Sequence, residues 1–339
     1  MAQTLTQAAR NDGASETPLL DVQHLTTTVR SRGQALRAVD DVSFQVGRRE
    51  ILGLVGESGC GKSLTALSIM RLLPLTVGIA AGSVHFDGRD LLRLRPADMR
   101  RLRGDDLAMV FQEPMTALDP AFTVGYQIVE TIRAHSDLGH DAARARAVAM
   151  LDRLGIPQAA RRIDAYPHEF SGGMRQRVML ALALVMQPKL LLADEPTTAL
   201  DVTVQAQILD LIAELRHEMG LSVILITHNL GVVHEVADRV AVMYAGEIVE
   251  TGTVAQIFDD PRHPYTQGLL KSMPYLSKRQ ESLYVIPGRV PELWAMPPAC
   301  RFAARCGNRI KPCLARHPDL VEIEPTHELR CVNPTPFVR

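Results

Sequence analysis

The feature that most constrains this chain is an octapeptide, Gly56-Glu57-Ser58-Gly59-Cys60-Gly61-Lys62-Ser63, set directly after the apolar run Ile51 to Val55. It fits the phosphate-binding pattern in which a strand feeds a glycine-rich loop and the loop opens a helix. Glycine is needed there because backbone N–H groups must curl around phosphate oxygens, with angles and close approaches that a side chain obstructs. On this reading the loop from Gly56 to Leu64 holds a nucleotide, and Lys62 reaches its terminal phosphates. Ser63 offers its hydroxyl to Mg²⁺, and the helix beginning there aims its positive end at the anion. A glycine-rich turn without a ligand is the plain alternative; the strand before and the helix after argue against it.

The rest of the chain supplies the framework for such a loop. Asp21 to Val29 and Ala38 to Val46 read as β-type stretches before the loop. After it, Leu64, Leu67, Met70 and Leu73 predict a helix that Pro74 stops. Arg144 to Leu154 reads as a helix closed by Gly155, and Thr203 to Met219 as another with Gly220 just past its end. Two uninterrupted apolar segments, Leu190 to Ala193 and Val223 to Ile226, are typical of parallel strands buried on both faces. The first runs into Asp194-Glu195 and the second into Thr227-His228, so both deliver polar groups to the carboxyl edge of a sheet, where open α/β folds bind ligands. Asp194 is placed to hold Mg²⁺ and Glu195 to polarise an attacking water; helix capping is the bland reading of that pair.

With 339 residues, two domains or one domain with a large appendage are expected. Hydrophobic residues at 46% and charged residues at 22% fit a globular chain, and a net charge of -1 gives no general basic field for nucleic acid. No apolar run approaches the ~20 residues that span a bilayer, so the chain is not expected to cross a membrane by itself. Residues 1–17 are polar and read as a disordered tail, with a cytoplasmic location implied. Beyond about Val254 proline becomes frequent and long periodic stretches vanish, which predicts a boundary near residue 255.

A third segment narrows the class. Ser171-Gly172-Gly173-Met174 precedes an apolar helix, so a serine and two glycines expose backbone N–H groups at a second anion-binding helix end. Two phosphate-binding surfaces in one chain suggest a nucleotide sandwiched between two subunits.

With these residues in view, the sequence resembles the ATP-binding subunits of ABC transporters over nearly all of the chain after about residue 18. Gly56 to Ser63 looks like Walker A, Phe170 to Met174 like the signature motif, and Leu190 to Glu195 like Walker B. Gln112 in Val110-Phe111-Gln112-Glu113-Pro114 matches the Q-loop, Ala199-Leu200-Asp201 the D-loop, and His228 the switch histidine. The resemblance implies an α/β fold: a P-loop NTPase (RecA-like) core over residues 18–255, with an N-terminal antiparallel β subdomain and a helical subdomain at about 113–185. A small irregular C-terminal domain follows at 256–339. It implies that Glu195, His228 and Gln112 are catalytic, that Ser63, Gln112 and Asp194 serve Mg²⁺, and that Asp201 couples two sites across a dimer. Val29 stands where the family usually places an adenine-stacking aromatic, and Arg30 is the candidate substitute.

Tyr166 to Phe170, Phe111 to Val124 and His263 to Leu270 look like dipeptide and oligopeptide importers. Nickel, glutathione and some sugar importers share that branch. Cys300, Cys306, Cys313 and Cys331 are separated by 5, 6 and 17 residues, which lacks the paired spacing of structural zinc sites. Four thiolates can ligate a 4Fe-4S cluster, as some members of the branch do at these positions; zinc, free thiols and disulfides are the alternatives. Cys60 reads as a small spacer whose thiol, if exposed, would make the loop oxidation-sensitive. The implied partners are a second, related ATPase chain, two transmembrane permease subunits whose coupling helices dock near Gln112 to Gly139, and an extracytoplasmic substrate-binding protein. No nucleic acid is implied. The implied location is the cytoplasmic face of a bacterial inner membrane. A soluble ABC ATPase of DNA repair or translation is the competing class, and it would want a coiled-coil insertion or tandem halves; a P-loop kinase or GTPase is opposed by the Ser171 element.

Overall fold

A computed structural model describes residues 17–31, 33–112, 117–197, 201–273 and 284–337. The expected tail before Thr17, Glu113 and Pro114 of the Q-loop, and Ala199 and Leu200 of the D-loop lie outside the described residues.

Alternating polar and apolar residues in the first part of the chain make an antiparallel sheet of order β2-β1-β4-β5, from β1 (Leu20–Ser31), β2 (Gln34–Val46), β4 (Val77–Phe86) and β5 (Arg89–Asp90). The second sheet is built from short, fully buried strands: β3 (Ile51–Val55), β6 (Leu107–Val110), β7 (Leu190–Asp194) and β8 (Ser222–Thr227). With β9 (Arg239–Tyr244) they form a parallel block in the order β9-β3-β8-β7-β6. Being parallel, β3, β6, β7 and β8 end at one edge. That edge carries the loop from Gly56, then Gln112, Asp194 and His228.

Helices cover both faces. The helix Lys62–Met70 lies between the two sheets, where Ala66, Ile69 and Met70 pack with Leu20, Val39, Leu52 and Ile224. It ends three residues short of the expected Leu73. Arg71 turns left-handed at φ 52 and its guanidinium is held by the carbonyls of Leu91 and Leu94 at 3.0 and 2.7 Å, so the chain breaks before Pro74 is reached. The opposite face packs against the helices Val124–His135, His140–Arg153, Gly172–Leu184 and Val202–Met219. The last ends on left-handed Gly220, as its sequence predicts.

The C-terminal part is less independent than its proline content suggests. β10 (Glu247–Thr253) is followed much later by β11 (Val321–Glu324) and β12 (His327–Leu329), which extend the main sheet in the order β11-β12-β10-β9. Tyr265, Ile286 and Phe302 share one apolar cluster with Val55, Leu230 and Val242 of the core. Packing is continuous across residue 255, so the region draws its stability from the sheet rather than from a core of its own.

Candidate functional site

The loop after β3 is shaped by positive backbone angles at three glycines: Gly56 (φ 152), Gly59 (φ 77) and Gly61 (φ 107). A Cβ on Gly56 would stand 2.2 Å from the Met243 carbonyl oxygen, and one on Gly61 would stand 2.9 Å from that of Ala38. Sterics from the neighbouring strands therefore require both glycines, independently of any ligand. Gly61 caps the helix Lys62–Met70 without a side-chain bond. The first-turn N–H groups, which include those of Ser63 and Leu64, have no acceptor within the helix by its geometry.

Lys62 is 5% exposed, and its ammonium donates to the carbonyls of Gly56 at 2.8 Å and Glu57 at 3.0 Å. Cys60 is buried, and burial pushes its thiol pKa up, opposed by Lys62. Its burial fits the reading of Cys60 as a small spacer. Ser58 and Gly59 are the exposed rim of the loop.

Across the edge, the two carboxylates at the end of β7 take different partners. Asp194 is buried and accepts from the Ser63 hydroxyl at 3.0 Å. Burial raises its pKa, Ser63 lowers it and Glu195 raises it further. Glu195 turns left-handed at φ 47, tied by its N–H to the Ile226 carbonyl of β8 at 2.9 Å. For a non-glycine residue that conformation costs about 1–3 kcal/mol and is typical of functional positions. It lets Gln112 donate to one carboxylate oxygen at 3.1 Å while His228 Nδ1 meets the other at 3.3 Å. Two residues predicted separately, after β6 and β8, thus converge on the carboxylate that follows β7. The neighbouring hydroxyl and carboxylate of Ser63 and Asp194 are hard oxygen donors of the kind Mg²⁺ prefers beside nucleotide phosphates.

The expected helix end at Ser171 is also formed. Ser171 caps the helix Gly172–Leu184 by accepting from the Met174 N–H at 3.4 Å, and Ser171 and Gly172 are exposed. Gly173 has a packing reason as well: a Cβ there would meet Val204 at 2.8 Å. Asp201 caps the helix Val202–Met219, accepting from the Val204 N–H at 2.9 Å, so Val204 joins the two elements.

In the tail, Cys313 is buried and Cys300, Cys306 and Cys331 are half-buried, all as free thiols. They lie close enough to act on one another. Burial and the neighbouring thiols raise the Cys300 and Cys306 pKa values and push Cys331 up to about 11. Among the described residues no group of three or more His, Cys, Asp or Glu is arranged to hold a metal ion, so the expected 4Fe-4S ligation is not supported by the structure. Sequence reasoning missed Tyr265 and Arg305, which both bond to Glu57 of the loop. No linear signal connects residues so far apart.

The fold agrees with the comparisons to known proteins. Residues 39–198 match the ABC transporter family, and residues 249–313 match the oligopeptide/dipeptide transporter C-terminal region. A peptide import ATP-binding protein of Brucella melitensis is 52% identical over 94% of this chain and 98% of its own. One from Brucella abortus is 53% identical over 89% and 91%. Among solved structures, the dimeric ATP-binding cassette MJ0796, in a post-hydrolysis state with ADP and Pi, aligns with TM-score 0.63 and 26% identity, over 69% of this chain and 98% of its own. CbiO1 from Clostridium perfringens, part of the ABC transporter complex cbiONQ, aligns with TM-score 0.61 and 28% identity over 72% and 92%. With its loop, its paired carboxylates and its tail all matched, the chain belongs to the ATP-binding subunits of ABC transporters, in the oligopeptide/dipeptide branch.

Proposed function

We propose that this chain hydrolyses ATP to drive peptide import through separate membrane subunits, with Glu195 as the base. The observation that carries the residue roles is the convergence of Gln112 and His228 on the Glu195 carboxylate, beside the Ser63–Asp194 pair. Loop N–H groups and Lys62 hold the phosphates. Ser63, Asp194 and Gln112 would hold Mg²⁺, which would supply charge neutralisation at the phosphoryl group. Glu195 accepts a proton as water attacks the γ-phosphorus, the bond to the bridging oxygen breaks, and ADP and phosphate leave. His228 orients Glu195 and meets the γ-phosphate. The cargo is assigned to peptides because the relatives named for peptide import align over nearly their whole length.

Each nucleotide is held between two subunits, the Ser171–Met174 end of one facing the loop of the other; the exposure of Ser171 and Gly172 supports this. The second subunit is a related ATPase chain. The membrane subunits dock on the helical region, where Phe122 and Tyr126 stack at 4.7 Å and are 43% and 52% exposed beside a groove lined by Val129, Glu130 and Arg133. An extracytoplasmic binding protein delivers the cargo to them. Among the described residues no helix is long and apolar enough to cross a membrane, and the chain works at the cytoplasmic face through those subunits. A 4Fe-4S cluster on Cys300, Cys306, Cys313 and Cys331 would staple the tail.

Glu195→Gln tests the assignment of the base. It removes the proton acceptor and keeps the shape, so turnover falls by about 10² to 10⁴ while ATP binding persists. Normal hydrolysis by this variant refutes the role.

A further inference from the structure

The nucleotide loop is braced from outside its own domain. Arg305 is 5% exposed at its side chain and grips the Glu57 carboxylate with two hydrogen bonds, at 2.6 and 2.9 Å. Its Nε donates to the Pro287 carbonyl at 2.8 Å, and its guanidinium lies over the rings of Tyr244 and Phe302. Tyr265, fully buried, accepts the Glu57 N–H at 2.9 Å through its hydroxyl. Tyr244, Tyr265 and Phe302 pack as one aromatic cage, with ring centroids 4.7 to 5.4 Å apart. Tyr244 ends β9, whereas Tyr265, Phe302 and Arg305 come from the C-terminal region.

These contacts decide how the first half of the loop is turned. The peptide joining Gly56 to Glu57 gives its N–H to Tyr265 and its carbonyl to Lys62, and the Glu57 carbonyl also goes to Lys62. Two carbonyls are thereby directed at the ammonium. A peptide flipped the other way would present oxygen to a phosphate, so the cradle works only if these peptides stay put.

We propose that Arg305 and Tyr265 are positioning residues for nucleotide binding, holding the loop in its phosphate-receiving form through Glu57. This rests on the ATP-binding reading and adds to it a role for the C-terminal region within the same chain. A bidentate guanidinium–carboxylate pair suits that task because it fixes orientation as well as distance.

The test uses the full chain and titration calorimetry with MgATP and with magnesium tripolyphosphate, which has no base or sugar. Arg305→Ala is expected to weaken both ligands roughly ten- to a hundredfold, the scale of hydrogen bonds to charged groups. Arg305→Lys, which keeps the charge and loses the fork, falls between. Tyr265→Phe keeps the ring in its cage and removes only the acceptor; it decides the matter if Arg305→Ala does not fold, with an expected loss of about fivefold. Arg330→Ala is the control for general damage to the tail. Arg330 is buried and bonds the Ile248 carbonyl, away from the loop, and its loss should leave both affinities within about twofold. In the assembled importer the KM for ATP should rise more than kcat falls. Unchanged affinity for both ligands in Tyr265→Phe together with either Arg305 variant overturns the proposal, as does an equal loss in Arg330→Ala. If the parent chain binds no MgATP, it is the nucleotide reading that fails.

Discussion

Acid should loosen the helix that carries Tyr265, and His263 is the reason. Its Nδ1 accepts the N–H of Tyr265 at 3.1 Å and so caps the helix Pro264–Lys271; a protonated nitrogen cannot accept. The ring is 2% exposed, and burial lowers its pKa from 6.5 to about 4, against the opposing pull of the Glu250 carboxylate. Between those values the unfolded chain binds a proton that the folded chain refuses. Stability is therefore full above about 6.5 and is lost as pH falls toward 4. The gap between the two values corresponds to roughly 3 kcal/mol at 1.36 kcal/mol per tenfold change in proton affinity. Glu250 also accepts the backbone N–H of His263 at 3.0 Å and pairs with His327 at 2.9 Å. The informative quantity is a difference between two proteins. His263→Asn keeps a good capping side chain and does not titrate. Denaturant unfolding of both chains between about pH 7.5 and about pH 4.5 should show the parent losing roughly 2–3 kcal/mol more than the variant. Parallel losses would refute the argument.

Two further outcomes follow from the site. Ser171→Glu places a negative charge at the exposed helix end proposed to receive a partner's triphosphate. In a Glu195→Gln background mixed with the related ATPase chain, it should abolish the ATP-dependent dimer on gel filtration while this chain still binds ATP; a dimer that persists removes the two-subunit site. For the tail, anaerobically prepared protein should carry about four irons and four acid-labile sulfides per chain, lost together on Cys313→Ser. Stoichiometric zinc in their place refutes the cluster.

Much of the catalytic edge is legible in the residues because its parts are local. A glycine-rich loop after an apolar strand, a carboxylate pair after another and a capped, glycine-led helix each declare themselves within a few positions. The parallel sheet then gathers the strand ends, and that gathering is implied by the burial pattern of β3, β7 and β8. Local pattern fails where the deciding contact is distant. Pro74 marks a stop for the first helix, yet Arg71 ends it sooner because carbonyls at Leu91 and Leu94 hold its side chain.

What the sequence determined by itself was the class of fold, the loop that takes the nucleotide and the identity of the residues at the strand ends, since all of these depend on spacing and on steric demands between near neighbours. The tertiary structure alone decided that Gln112 and His228 share the Glu195 carboxylate, that the proline-rich tail completes the main sheet, and that Arg305 grips Glu57 from 248 positions away. Those pairings come from chain crossings, and an ion pair carries no periodicity that could announce its partner.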